Sequence, residues 1–170
     1  MEVSLDEARA WLRLGAGDED ALVERLIGAS ANMCEMFIGQ WLIERTGEEI
    51  VPLRGGTARP AARPVVAVEG VALIADGTET VLSAADYRVD IVEGAARVSV
   101  PGAGGDARVR ILYRAGLADA AEALPAAIRH GILRMAQHFY EARDDKERPP
   151  PAAIAALWHP WRRTTLGSGR

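Results

Sequence analysis

The stretch Pro101-Gly-Ala-Gly-Gly-Asp-Ala-Arg-Val-Arg-Ile-Leu-Tyr-Arg-Ala-Gly116 decides the fold class. Its first six residues break regular structure, and the segment that follows alternates: Val109, Ile111 and Tyr113 on one side, Arg108 and Arg110 on the other. A period of two with one apolar face is the pattern of a half-buried strand. Toward the N-terminus, Arg97–Val100, Tyr87–Val92, Val71–Ile74 and Val65–Val68 are further short, β-branched runs. Asp76-Gly77, Glu93-Gly94 and the 101–106 segment separate them as turns, the last read as a hairpin turn, at the spacing of an antiparallel meander or small barrel. Trp41–Thr46 and Glu49–Leu53 are also strand-like, and Arg54-Gly-Gly-Thr-Ala-Arg-Pro60 is a loop rich in breakers. A β insertion is therefore expected over about 41–116.

Helical patterns flank it. Ser4 with Glu7 forms a capping box, Leu5, Ala8 and Leu12 make a stripe, and Gly15 and Gly17 end it, which predicts a first helix over 4–14. Asp18, Glu19 and Asp20 place negative charge where a helix N-terminus favours it. From there Leu22, Leu26, Ala29, Met33 and Phe37 form one stripe and Val23, Ile27, Cys34 and Ile38 a second, up to Gly39, which predicts a second helix over 18–39, apolar across a wide arc. Beyond the insertion, Pro125 at a first helical position and Ile128, Ile132, Met135 or Ala136, and Phe139 predict a third helix over 125–143. Asp144–Arg148 and Pro149-Pro-Pro151 then read as an exposed stiff linker, Ala152–Trp158 as a last helical turn or two ended by Pro160, and the remainder as a mobile tail. The expectation is an α+β chain: a connector core over 1–148, a helical bundle with an inserted antiparallel β domain, followed by an extended arm over 149–170.

Composition narrows the function. With 170 residues, 49% hydrophobic and 26% charged, the chain resembles an ordinary soluble domain large enough to fold without disulfides or metals. Its one cysteine, Cys34, lies within a helical apolar pattern and suits a structural thiol in a reducing compartment. The start lacks the n- and h-regions of a signal peptide, and no run approaches the roughly 20 apolar residues of a membrane span. A net charge of −4 disfavours a protein that binds DNA by neutralising phosphates. That charge is uneven: residues 1–50 hold eleven acids against four arginines, whereas 124–170 carry eight basic residues against four acids. Acidic and basic ends on one chain suit subunits that meet head to tail, or docking on charged partners.

No catalytic set is found. His130, Arg134 and His138 share one helix face, but the two imidazoles are two turns apart, roughly 12 Å at 1.5 Å per residue, too far for one metal ion. His159 has no ligand at metal-binding spacing, and Gly102-Ala-Gly-Gly105 lacks the Lys-Ser/Thr and the following helix of a phosphate loop. No nucleophile sits in a recognised catalytic frame, so neither a catalytic residue, a metal nor a cofactor is expected. The conspicuous feature is Ala156-Leu-Trp-His-Pro-Trp-Arg-Arg163. Two indoles beside two arginines, beyond a triple proline, are costly to expose without a partner, and Trp and Arg dominate interface energetics. Two arrangements are open: Trp158 folds back onto the third helix, or the linker lets the arm reach another molecule. The second is the expectation.

In order and spacing, the chain resembles the head–tail connector, or neck adaptor, family of tailed bacteriophages and related gene transfer agents. The resemblance rests on Leu5-Asp-Glu-Ala-Arg-Ala-Trp-Leu-Arg13, Glu19-Asp-Ala-Leu22 through Glu35-Met-Phe-Ile-Gly39, Arg63-Pro-Val-Val-Ala-Val68, Asp86-Tyr-Arg-Val-Asp90, Val109-Arg-Ile-Leu-Tyr-Arg-Ala-Gly116, Leu124-Pro-Ala-Ala-Ile128, His138-Phe-Tyr-Glu-Ala-Arg143 and Leu157-Trp-His-Pro-Trp-Arg-Arg163. It implies a non-enzymatic virion protein of the particle neck, made in the bacterial cytoplasm, with no membrane association. Copies would form a ring, typically of twelve, beneath the portal protein. The ring would extend a channel through which DNA passes without sequence-specific binding, and would offer a platform to a stopper or tail-completion protein. It further implies portal docking by Trp158, His159, Pro160, Trp161, Arg162 and Arg163. On the expectation that a channel wall repels the duplex, Asp18, Glu19 and Asp20 are candidates for facing the lumen. The segment 54–62 and the Trp-rich close depart from the family pattern. The alternatives are a DNA-packaging or DNA-binding regulatory protein and a small enzyme of the same build.

Overall fold

The computed structural model describes residues 2–15, 17, 19–104, 106–141 and 150–163. Helix α1 (Leu5–Leu12) starts where Ser4 Oγ accepts the Glu7 amide at 3.1 Å. Only half of the capping box forms, because the Glu7 carboxylate accepts from Arg129 at 2.7 Å instead of turning back to Ser4. Helix α2 (Asp20–Ile38) ends at Gly39, whose φ of 69° closes the helix in the left-handed region. Strands β1 (Arg45–Pro52), β2 (Thr57–Ala58), β3 (Val65–Ala75), β4 (Thr78–Val81), β5 (Arg88–Val92), β6 (Ala95–Ser99) and β7 (Arg108–Ala115) follow. A short 3-10 turn leads to helix α3 (Ala126–Glu141), and α4 (Ala152–Trp158) runs into a second turn, His159–Trp161.

Two compact units result, one from residues 1–43 and 118–170, the other from 44–117. In the helical unit, the chain's departure and return are tied by the Ala118 amide, which donates to the Leu42 carbonyl at 3.1 Å. Val23, Ile27, Cys34 and Ile38 of α2 are fully buried, as are Ile128, Ile132 and Met135 of α3. The stripe Leu22, Leu26, Met33 and Phe37 is only half-buried and Ala29 is exposed, so the second of the two apolar stripes on α2 faces the core.

In the β unit, one sheet has the order β1-β7-β3-β4 and the other β2-β6-β5. Val109, Ile111, Tyr113 and Ala115 of β7 are each at most 1% exposed, and β7 is flanked by β1 and β3. Asp76-Gly77 and Glu93-Gly94 are two-residue hairpin turns with positive φ at both positions, which matches the twist of the strands they join.

The structure differs from the expected meander in four places. Strands β1 and β7, far apart in sequence, pair directly, because both alternate with the same inward face. Residues 101–106 join β6 to β7 in different sheets, so they are a crossing and not a hairpin; Gly105 lies outside the described residues. Val65–Val68 and Val71–Ile74 are one strand whose register shifts near Ala67 and Gly70, where glycine reads as a bulge and not as a break. Trp41–Glu44 also precedes β1, with Leu42 buried in the helical unit.

Candidate functional site

The C-terminal segment takes the first of the two arrangements open from sequence. Residues 150–163 belong to the helical unit, where the expectation had an arm beginning at 149 and standing apart from the core; the linker residues 142–149 lie outside the described set. Trp158 is 0% exposed. Its indole lies over Gly131 of α3, where an added Cβ would come within 2.1 Å of Nε1, and its N–H reaches the Ile128 carbonyl at 3.4 Å. Phe37 of α2 packs beside it, ring centroids 6.0 Å apart. Burying an indole removes a large apolar area from water, which makes Trp158 a core residue of this unit.

The residues that follow are fastened at the backbone. Gln40 Nε2 donates to the Trp161 carbonyl at 2.5 Å, and the Arg163 amide donates to the Ile38 carbonyl at 2.9 Å, filling an acceptor left open at the end of α2. His159, Pro160, Arg162 and Arg163 remain exposed, and Trp161 is half-buried. The Arg162 guanidinium sits 5.4 Å from the centre of the Phe37 ring, a cation–π distance. Of the six arm residues expected to dock, five thus present surface and Trp158 holds them in place.

The acidic candidates are tied within their own unit. Arg9 Nε donates to Asp20 at 2.7 Å and its second nitrogen pairs with the other carboxylate oxygen; this hydrogen bonding raises the guanidinium pKa. Glu19 accepts from the Tyr140 hydroxyl. Asp18 lies outside the described residues. His130 meets Trp11 edge-on at 5.2 Å, and the Trp11 indole donates to Gln137 at 2.9 Å, so this part of the polar face of α3 packs against α1. Among the described residues no three His, Cys, Asp or Glu side chains group as a metal site. Burial, with Glu35 beside it, pushes the Cys34 thiol well above its ordinary value, which disfavours the reactive thiolate.

Two residues that organise the structure went unread in the sequence. Gly131 had a signal, a glycine inside a helical run, where it costs about 1 kcal/mol relative to alanine. Glu49 had none: it accepts from the Tyr113 hydroxyl and from the amides of Ala61 and Ala62 at 2.9 and 3.3 Å, partners distant in sequence.

No family model and no curated protein matches the sequence. Among solved structures, the chain is similar to a protein in the neck of an empty gene transfer agent particle, with TM-score 0.79, 26% identity and coverage of 99% of this chain and 93% of that one. It is likewise similar to a chain of the virion of a native gene transfer agent particle (0.78, 27%, 99% and 93%). A third is in the neck of the native particle computed with C12 symmetry (0.75, 26%, 98% and 91%). Over nearly its whole length the chain thus shares the α+β fold of proteins in the neck and virion of gene transfer agent particles. No helix of the described residues is long and apolar enough to cross a membrane.

Proposed function

We propose that copies of this chain close into a ring of twelve beneath the portal protein, extending the DNA channel and seating a stopper or tail-completion protein on the far side. The observation that carries this reading is likeness over 99% of the chain to a gene transfer agent neck protein, joined to the C12 symmetry with which a similar neck was computed. The role is geometric. A ring made by one repeated contact is a heterologous interface that closes, and its channel passes the duplex without reading sequence. A net charge of −4 per copy supports passage without adhesion, since a strongly basic wall would bind phosphates.

In this reading the exposed end of the C-terminal segment, His159, Pro160, Trp161, Arg162 and Arg163, meets the portal, and Trp158 fixes its direction from inside the helical unit. Asp18, Glu19 and Asp20 face or approach the lumen, with Arg9 offsetting part of the Asp20 charge. Electron microscopy of particles containing the full-length protein tests the ring: a twelvefold collar below the portal is expected, and a single copy per particle would sink it. Arg162→Glu with His159→Ala tests docking while leaving Trp158 in place; unchanged incorporation into portal-bearing particles would refute that assignment.

A further inference from the structure

The β unit carries a groove of about 440 Å³ lined by Arg59, Arg63 and Arg97, with Asp90 and Val92 on its wall. It is built with care. The Glu49 carboxylate accepts the amides of Ala61 and Ala62, the Val65 amide donates to the Gly94 carbonyl at 2.8 Å, and Gly94 lies so close to Pro64 that a Cβ there would come within 2.4 Å of the proline ring. These contacts press the segment bearing Arg59 and Arg63 against the β5–β6 hairpin, where Arg97 stands opposite Asp90 in register. None of the three guanidiniums has a salt bridge among the described residues. Three cations against one carboxylate make a site for a negatively charged group, and guanidinium matches a carboxylate with two parallel hydrogen bonds.

We propose that this groove receives Glu24 of a neighbouring copy of the chain. The inference rests on the ring proposed above and names the contact that repeats around it. Most described acids of the first fifty residues already have partners: Asp6, Glu7, Glu19, Asp20, Glu35, Glu44, Glu48 and Glu49 accept hydrogen bonds or pair with arginine. Of the two others, Glu2 is half-buried at the start of the chain, whereas Glu24 is exposed on α2 and makes no hydrogen bond or ion pair among the described residues. One turn to either side of it stand Ala21 and Gly28, neither with a long side chain, and the adjacent Arg25 is turned back along its own helix, its Nε donating to the Ala21 carbonyl at 3.2 Å. The duplex is the less suitable occupant. It is convex and wider than the groove, and the chain as a whole is acidic.

Charge reversal tests the contact in the full-length protein, with assembly followed by mass photometry against concentration, alone and with particle fractions bearing the portal. Arg59→Glu with Arg97→Glu is expected to raise the concentration for half-assembly at least tenfold. Glu24→Arg should do the same from the other side, and the three changes together should return it to within threefold of the wild type. Wild-type assembly in the arginine variant, or no recovery in the combined variant, overturns this contact and leaves the ring standing. A wild-type chain that never associates, in solution or on particles, overturns both. Loss of duplex retention in a mobility-shift assay, with assembly unchanged, would make the groove a DNA site and refute the proposal.

Discussion

Replacing Gly131 by alanine sets two opposed effects against each other. Within an exposed helix the change would stabilise by about 1 kcal/mol, because glycine loses more backbone freedom on folding. Here the new Cβ would lie 2.1, 2.8 and 2.9 Å from three atoms of the Trp158 indole, distances no real contact adopts. The indole is the terminal group of a side chain enclosed on every side, so it leaves its site or the helices part. Losing a buried tryptophan costs about 3–5 kcal/mol. Subtracting the helix gain leaves a net destabilisation of about 2–4 kcal/mol. Urea unfolding followed by tryptophan emission measures it, with Trp158→Ala and the double variant closing the cycle. In the Trp158→Ala background, Gly131→Ala should be neutral or stabilising by about 1 kcal/mol. A Gly131→Ala protein as stable as the wild type, or one whose cost is the same with and without the indole, would refute the packing argument.

Other consequences are open to measurement. Glu49→Ala strips a carboxylate from the part-buried Tyr113 hydroxyl and from two loop amides, and should cost about 1–3 kcal/mol in urea unfolding. Burial and Glu49 raise the Tyr113 phenol above its ordinary 10.0; in an ultraviolet titration compared with a Tyr113→Phe variant, the phenol that the variant lacks should stay protonated past that pH, and the contribution of this group to stability should fall as pH rises beyond it. Hydrogen bonds from Arg110 lower the Glu79 carboxyl below 4.5, so its contribution is present at neutral pH and lost as pH falls through the depressed value; Arg110→Gln should flatten that part of the acid-unfolding profile. Cys34 should react with a thiol reagent only as fast as the helical unit opens, and fast labelling of the folded protein would contradict its burial.

Legibility followed the range of the interactions. The strand β7, the hairpins at Asp76-Gly77 and Glu93-Gly94, and the ends of α2 were readable because each is set by neighbouring residues: alternation, positive φ, a glycine cap. The pairing of β1 with β7 was hidden because it joins residues more than fifty apart, and no local pattern names a partner. The choice between the two apolar stripes of α2 was hidden for a related reason. Both suit a helix, and only the position of α3 and α4 decides that Ile27 and Cys34 go inside while Leu26 and Met33 are half covered. The arm was misjudged by treating the prolines at 149–151 as a spacer leading away from the core. A stiff segment can equally lead back, and Gly131, set in α3 with room for an indole, was the residue that told the two apart.

The burial of Trp158 also bears on how the exposed end would dock. A loose arm that orders on binding gives up conformational freedom at that moment, about 0.5–1.5 kcal/mol for each immobilised rotamer-rich side chain and more for the backbone. In this chain the backbone from Trp161 to Arg163 is already held by Gln40 and Ile38, and Arg162 already rests on Phe37. Most of that ordering is complete before any partner arrives. A core tryptophan therefore lowers the ordering cost of the docking proposed for the residues after it, and it moves the expected effect of Trp158→Ala. The variant should lose stability in isolation first, and lose particle incorporation in proportion to that instability. Arg162→Glu should spare the fold and act on incorporation alone.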